Sequence, residues 1–271
     1  MYDFYYGSKE EILKNPENFI LFCKRLLPRW LNGTPDSECL AIWKILTEAK
    51  TKPKVLVETG SGASSLVFFI YCALNDARLF SWDTNGSKGA YLRSIISDAI
   101  CKPLGIDIHK VWTFIPFNST DKNVGIECLQ ELGLKADFGF FDSWHTWDHL
   151  YGEIQAFVSV ANTEFFVALD DAYYDKRSYN YSFVNMLRKK MGLSPITEPT
   201  DNKCLPFYLE TENYLKNNFE KVSKIEDSYK QTYNSDVFFD YFEFDRVAMN
   251  KLGLEEKHNL EHRFDAWRVN R

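Results

Sequence analysis

Long apolar runs are missing from this 271-residue chain. The stretch around 67–74 is too short to cross a bilayer and belongs with the helix that follows a glycine turn. The opening Met1-Tyr-Asp-Phe-Tyr-Tyr places no basic region ahead of an apolar core, so no secretory signal is expected. A sustained basic and aromatic stripe is also absent, and the formal charge of −6 works against general binding to a nucleic-acid backbone. The six cysteines, Cys23, Cys39, Cys72, Cys101, Cys128 and Cys204, lack the paired spacing of a zinc module. Several stand in apolar surroundings, where a thiol behaves as a small hydrophobe, so reduced structural cysteines are expected. No internal repeat or long low-complexity segment occurs. These absences predict a soluble, cytoplasmic protein with no membrane insertion and no general nucleic-acid partner; they leave a homo-oligomer open.

What is present is enough apolar content, 45% of residues, to bury one large core with a small accessory region. Strand patterns at 54–58, 78–83, 111–116, 137–142 and 164–170 alternate with helical patterns at 63–75, 89–101, 121–132, 148–158 and 180–190. That rhythm predicts an α/β fold with a doubly wound, mostly parallel sheet. Ahead of it, an amphipathic helix over 8–27, capped by Ser8 with Glu11 and limited by Pro28, and a second over 37–49 form an N-terminal helical cover. The expected division is therefore a cover at 1–50 and a main domain at 51–271. Toward the C-terminus, 219–225 and 236–244 read as strands, 248–258 as a helical insertion and 201–206 as a loop. The chain holds 15 tyrosines and 22 phenylalanines, many of them after Tyr173, where they line an acceptor cavity, form an oligomer face or simply pack.

The apolar strand Val55-Leu-Val ends in Glu58-Thr-Gly60-Ser-Gly62-Ala-Ser-Ser65. An acidic residue followed by two glycines is how an α/β sheet presents a nucleotide-like ligand: the glycines permit the turn, and Ser64 or Ser65 opens the next helix. Position 65 is Ser rather than a third glycine, which favours an adenosyl ligand without phosphates over a close pyrophosphate. Asp83 ends the next strand, where a carboxylate can accept hydrogen bonds from both ribose hydroxyls. A helix-capping glycine turn and a solvated aspartate are the plainer alternatives.

A second constellation lies in 136–149. Phe138, Phe140 and Phe141 supply a strand, Asp142 falls at its C-terminal end and His145 follows three residues later. Another apolar strand ends at Leu169-Asp170-Asp171. If these strands are neighbours, three carboxylates meet one imidazole, and a hard divalent cation, Mg²⁺ or Mn²⁺, would offset their repulsion. His145 would act near neutral pH as a base for a hydroxyl. The alternatives are a solvated acidic loop with Asp171 as a cap, and an imidazole packed beside Trp144 and Trp147.

With these motifs, the chain resembles the class I S-adenosylmethionine-dependent methyltransferases, and within them the metal-dependent sugar O-methyltransferases of the macrocin and mycinamicin type. The resemblance spans roughly residues 54–190. It implies that Glu58 faces the methionine amino group and that Gly60, Ser61, Gly62 and Ser64 line the methionine end. It implies further that Asp83 holds the ribose, that Asp142, Asp170 and Asp171 ligate the cation, and that His145 is the base. The implied reaction is methyl transfer from S-adenosylmethionine to a hydroxyl of a sugar or glycan-like small molecule. Asp142 is followed by Ser-Trp rather than a small Gly-containing link, and the region after 190 has no specific counterpart. A non-catalytic adenosyl-ligand or glycan-binding protein and an NAD-dependent oxidoreductase are the rival readings.

Overall fold

A computed structural model of the protein describes residues 6–144, 146–172, 185, 188–195, 205–225 and 264–271. Seven strands form a single sheet: β1 (Val55–Thr59), β2 (Arg78–Trp82), β3 (Trp112–Ile115), β4 (Ala136–Phe141), β5 (Ala161–Leu169), β6 (Lys221–Lys224) and β7 (Asp265–Asn270), in the order β3-β2-β1-β4-β5-β7-β6. The expected doubly wound, mostly parallel architecture is present. The backbone divides into two compact units, the described residues up to Asn118 and those from Ser119 onward.

In the first unit β2 pairs in parallel with both β1 and β3. β1 is buried along its whole length, as the run Val55-Leu56-Val57 requires when helices cover both faces. The crossover helix Ala63–Asn75 holds Val67, Phe68, Phe69, Ile70 and Tyr71, whose helix propensities are each worse than alanine by up to about 0.7 kcal/mol. Each fully buried side chain of that size returns roughly 1.5–3 kcal/mol, so burial decides the conformation. The helix Asp36–Glu48 packs on it, with Trp43 edge-on to Tyr71 at 6.3 Å.

The helix expected over 8–27 is two helices, Lys9–Lys14 and Pro16–Arg25. Pro16 has no N–H to donate into the first helix but suits the first turn of the second, which Asn15 caps through its side chain. The Ser8–Glu11 capping box forms as expected. Lys24 and Asp36 make a buried ion pair at 2.8 Å between the last turn of one helix and the first turn of the next. The helix expected over 89–101 starts earlier, as Gly86–Ile95, and continues as a π-helical stretch, Ile96–Cys101.

In the second unit β4 and β5 are parallel, joined by the helix Trp147–Val160, while β7 lies antiparallel between β5 and β6. Phe264, Ala266, Trp267 and Val269 are buried, which makes β7 part of the core. The helix expected over 121–132 is only a short 3₁₀ turn, Ile126–Leu129. The Asp121 carboxylate accepts from the N–H groups of Asn123 and Val124 and so holds the backbone in a turn instead. A helix at Phe207–Asn218 was not expected; it buries Phe207, Thr211 and Leu215 along one stripe. Only 185 and 188–190 of the helix expected over 180–190 are described, and they are helical. The elements expected at 236–244 and 248–258, most of the loop at 201–206, Cys204 and Tyr173 lie outside the described residues. Among the described residues five cysteines are free thiols, and no helix is long and apolar enough to cross a membrane.

Candidate functional site

The first unit builds the acidic glycine turn. Gly60 has φ +78°, a left-handed conformation that glycine adopts without a Cβ penalty, and its N–H donates to the Trp82 carbonyl at 2.9 Å. At Gly62 a Cβ would stand 3.1 Å from the Leu31 carbonyl oxygen, so the chain before the helix Asp36–Glu48 presses directly on the turn. Glu58 is completely buried. Its Oε1 accepts from the Ser64 hydroxyl at 2.7 Å, and its Oε2 accepts from Ser65 and Ser81, each also at 2.7 Å. Ser81 in turn accepts from the Trp112 indole N–H at 2.9 Å. One carboxylate thus ties the ends of β1 and β2 to the start of the crossover helix. Burial pushes the Glu58 carboxyl up to about 7; the hydroxyls of Ser64, Ser81 and Ser65 oppose the rise and the neighbouring Asp83 adds to it.

Asp83 follows β2 and is held from several sides. Its Oδ2 accepts from the Ser61 N–H and from Lys88 Nζ, both at 2.9 Å, and its Oδ1 accepts from the Asn85 N–H at 2.8 Å. The expected ribose carboxylate and the glycine turn are therefore bonded to each other. The hydroxyls of Thr59 and Ser61 are buried with no hydrogen-bond partner among the described residues. A buried polar atom left in that state costs about 1–3 kcal/mol, so a turn carrying two of them suits a polar ligand such as the adenosyl and methionine groups of S-adenosylmethionine.

The second unit gathers the acidic residues. Asp142 follows β4, Asp170 and Asp171 follow β5, and each offers a ligand atom within 4.8 Å of the others. Backbone bonds fix the pair: the Asp170 N–H donates to the Phe141 carbonyl at 3.2 Å and the Asp171 N–H to Asp170 Oδ1 at 2.8 Å. Asp171 sits at φ +50°, and both it and Asp170 are buried. Three carboxylates this close repel one another, and an all-oxygen donor set of this kind fits a hard divalent cation such as Mg²⁺ or Mn²⁺. His145, the expected base, lies outside the described residues.

Two polar hubs escaped the sequence reading. One is Ser81 in the first unit, whose only signal is a hydroxyl between Phe80 and Trp82 in an otherwise apolar buried strand. The other is Glu153 in the second unit, buried in the helix Trp147–Val160 and bonded to Ser119, Ser143 and His149. Its signal was an acid one helical turn after His149, among the apolar positions Leu150, Ile154 and Phe157.

A seven-stranded sheet with β7 reversed, and an acid–glycine turn closing β1, give a Rossmann-like fold. No protein-family model and no curated protein matches the chain. Among solved structures, an O-methyltransferase from Bacillus cereus in complex with SAH aligns over 97% of this chain and 96% of its own, at 9% identity and a TM-score of 0.50. The O-methyltransferase TomG from Streptomyces achromogenes, in complex with SAM, aligns over 94% and 89% at 13% identity, with a TM-score of 0.48. An O-methyltransferase family protein from Burkholderia thailandensis covers 97% of this chain at 8% identity and a TM-score of 0.46, and this chain spans 63% of that protein's length. At these identities the likeness is one of fold.

Proposed function

We propose that the protein transfers a methyl group from S-adenosylmethionine to a hydroxyl of a sugar or glycan-like small molecule, with Mg²⁺ or Mn²⁺ held at the acidic cluster. The observation that carries the reading is the convergence of Asp142, Asp170 and Asp171 in a chain whose fold is that of the class I methyltransferases. Adenosyl binding alone and hydride transfer to NAD do not by themselves require three converging carboxylates.

S-adenosylmethionine, when bound, supplies an activated sulfonium methyl; a divalent cation, when bound, supplies a positive charge that orients and acidifies an acceptor hydroxyl. The protein has to align the acceptor, exclude water and take up one proton. Glu58, Gly60, Ser61, Gly62 and Ser64 form the methionine end of the cofactor site in this reading, with Asp83 at the ribose. Asp142, Asp170 and Asp171 hold the cation, and His145 removes the hydroxyl proton. Residues 1–50 serve as a cover and 51–271 as the methyltransferase domain, with acceptor contacts added after 190.

Calorimetric titration with S-adenosylmethionine, S-adenosylhomocysteine and NAD, each with and without Mg²⁺, tests the cofactor. The adenosyl sulfur ligands should bind more tightly than NAD, and equal affinities would sink the assignment. Single-turnover transfer to sugar acceptors tests the chemistry. His145→Ala should slow it roughly 10²–10⁴-fold with cofactor affinity retained. Wild-type transfer by that variant across the pH range would remove the base, and methylation confined to nitrogen would overturn the acceptor class.

A further inference from the structure

We propose that Glu153 is a positioning residue for Asp142, acting through the hydroxyl of Ser143. The proposal rests on the reading of Asp142 as a cation ligand. Glu153 is 1% exposed, and its Oε1 receives three groups: the Ser119 hydroxyl, the Ser143 hydroxyl at 2.7 Å and His149 Nε2 at 3.2 Å. Burying a carboxylate costs several kcal/mol unless donors surround it, so the fold keeps Glu153 here only because three segments converge on it. Those segments are the stretch at Ser119, the turn after β4 and the first turn of the helix Trp147–Val160.

The arrangement does not activate a nucleophile. Both serines donate to Glu153 and neither is bonded to His149, so no imidazole stands ready to take a serine proton. What remains is a tether. Asp170 and Asp171 are held by their own backbone N–H groups, and on the Asp142 side the next residue, Ser143, is bonded to the buried acid. A glycine at 143 would supply no hydroxyl, and the turn carrying Asp142 would lose its bond to the buried acid.

The test is Mn²⁺ titration of the full-length protein, followed by electron paramagnetic resonance, for wild type, Ser143→Ala and Ser143→Thr. Thermal unfolding is measured on the same samples. Ser143→Ala should bind Mn²⁺ at least tenfold more weakly with little change in unfolding midpoint, because groups that orient a ligand typically affect metal affinity by 10–100-fold. Ser143→Thr, which keeps the hydroxyl, should restore binding. Wild-type affinity in Ser143→Ala, or equal losses in both variants, would overturn the tether. Glu153→Ala is the harsher change, since it orphans two hydroxyls and leaves a void, so the serine variants decide. If the wild type binds no Mn²⁺ the cation reading falls, and amide hydrogen exchange over 142–150 then judges the tether alone: faster exchange in Ser143→Ala keeps it, and unchanged exchange removes it.

Discussion

Glu58 and Asp83 adjoin where β1 and β2 end. The folded-state pKa of Glu58, about 7, stands above the ordinary value of 4.5, so between these values the folded protein holds a proton that the unfolded chain has released. Its contribution is complete below pH 4.5 and is lost as pH rises through about 7, by up to about 3 kcal/mol. Glu58→Gln keeps an acceptor and a donor among the serines but does not titrate. Its stability should therefore fall less between pH 4.5 and 7 than that of the wild type, as read by urea unfolding across the range; parallel curves would show that Glu58 carries no such linkage. Asp83, bonded to Ser61, Asn85 and Lys88, is where the ribose is expected. Asp83→Ala should weaken S-adenosylmethionine by roughly 1–3 kcal/mol in calorimetry, and an unchanged affinity in the folded variant would place the ribose elsewhere.

Elements differ in how plainly the sequence announces them. The apolar runs of β1, β2, β4 and β5 stand between turn residues and are buried on both faces, so composition alone marks them. The helix Phe207–Asn218 buries only Phe207, Thr211 and Leu215 among polar neighbours, too sparse a stripe to outweigh its surroundings. The stretch at 121–132 fails in the other direction, because the Asp121 turn and the extended backbone at Gly125 compete with helical geometry. The three carboxylates were legible because each stands next to a strand end, whereas the partners of Glu153 come from separate segments, Ser119 lying 34 residues before it. Two predictions belong at this scale. Lys24→Ala should strand Asp36 as a buried charge between two cover helices and destabilise the fold by roughly 3–5 kcal/mol, measured by urea unfolding. Asp142→Asn removes one charge from the turn after β4 and should impair Mn²⁺ binding while leaving the unfolding midpoint near that of the wild type; intact Mn²⁺ affinity would exclude Asp142 as a ligand.

For the whole molecule, the reading predicts turnover that is lost on chelation and recovered with Mg²⁺ or Mn²⁺, and full activity of the metal-free protein would retire the acidic cluster from the chemistry. The placement of β7 has a consequence of another kind. β5 is complete by residue 169, yet its antiparallel partner spans 265–270, and β6 pairs with that same late strand. As the chain leaves the ribosome, roughly a hundred residues emerge after β5 before its open side can be paired. During that interval Phe165, Val167 and Leu169, buried in the folded state, flank an unpaired edge of the kind that recruits strands from other molecules. A polypeptide ended at residue 225 should consequently be recovered largely as aggregate, and supplying 264–271 in trans should raise its soluble yield, as a sedimentation assay would read.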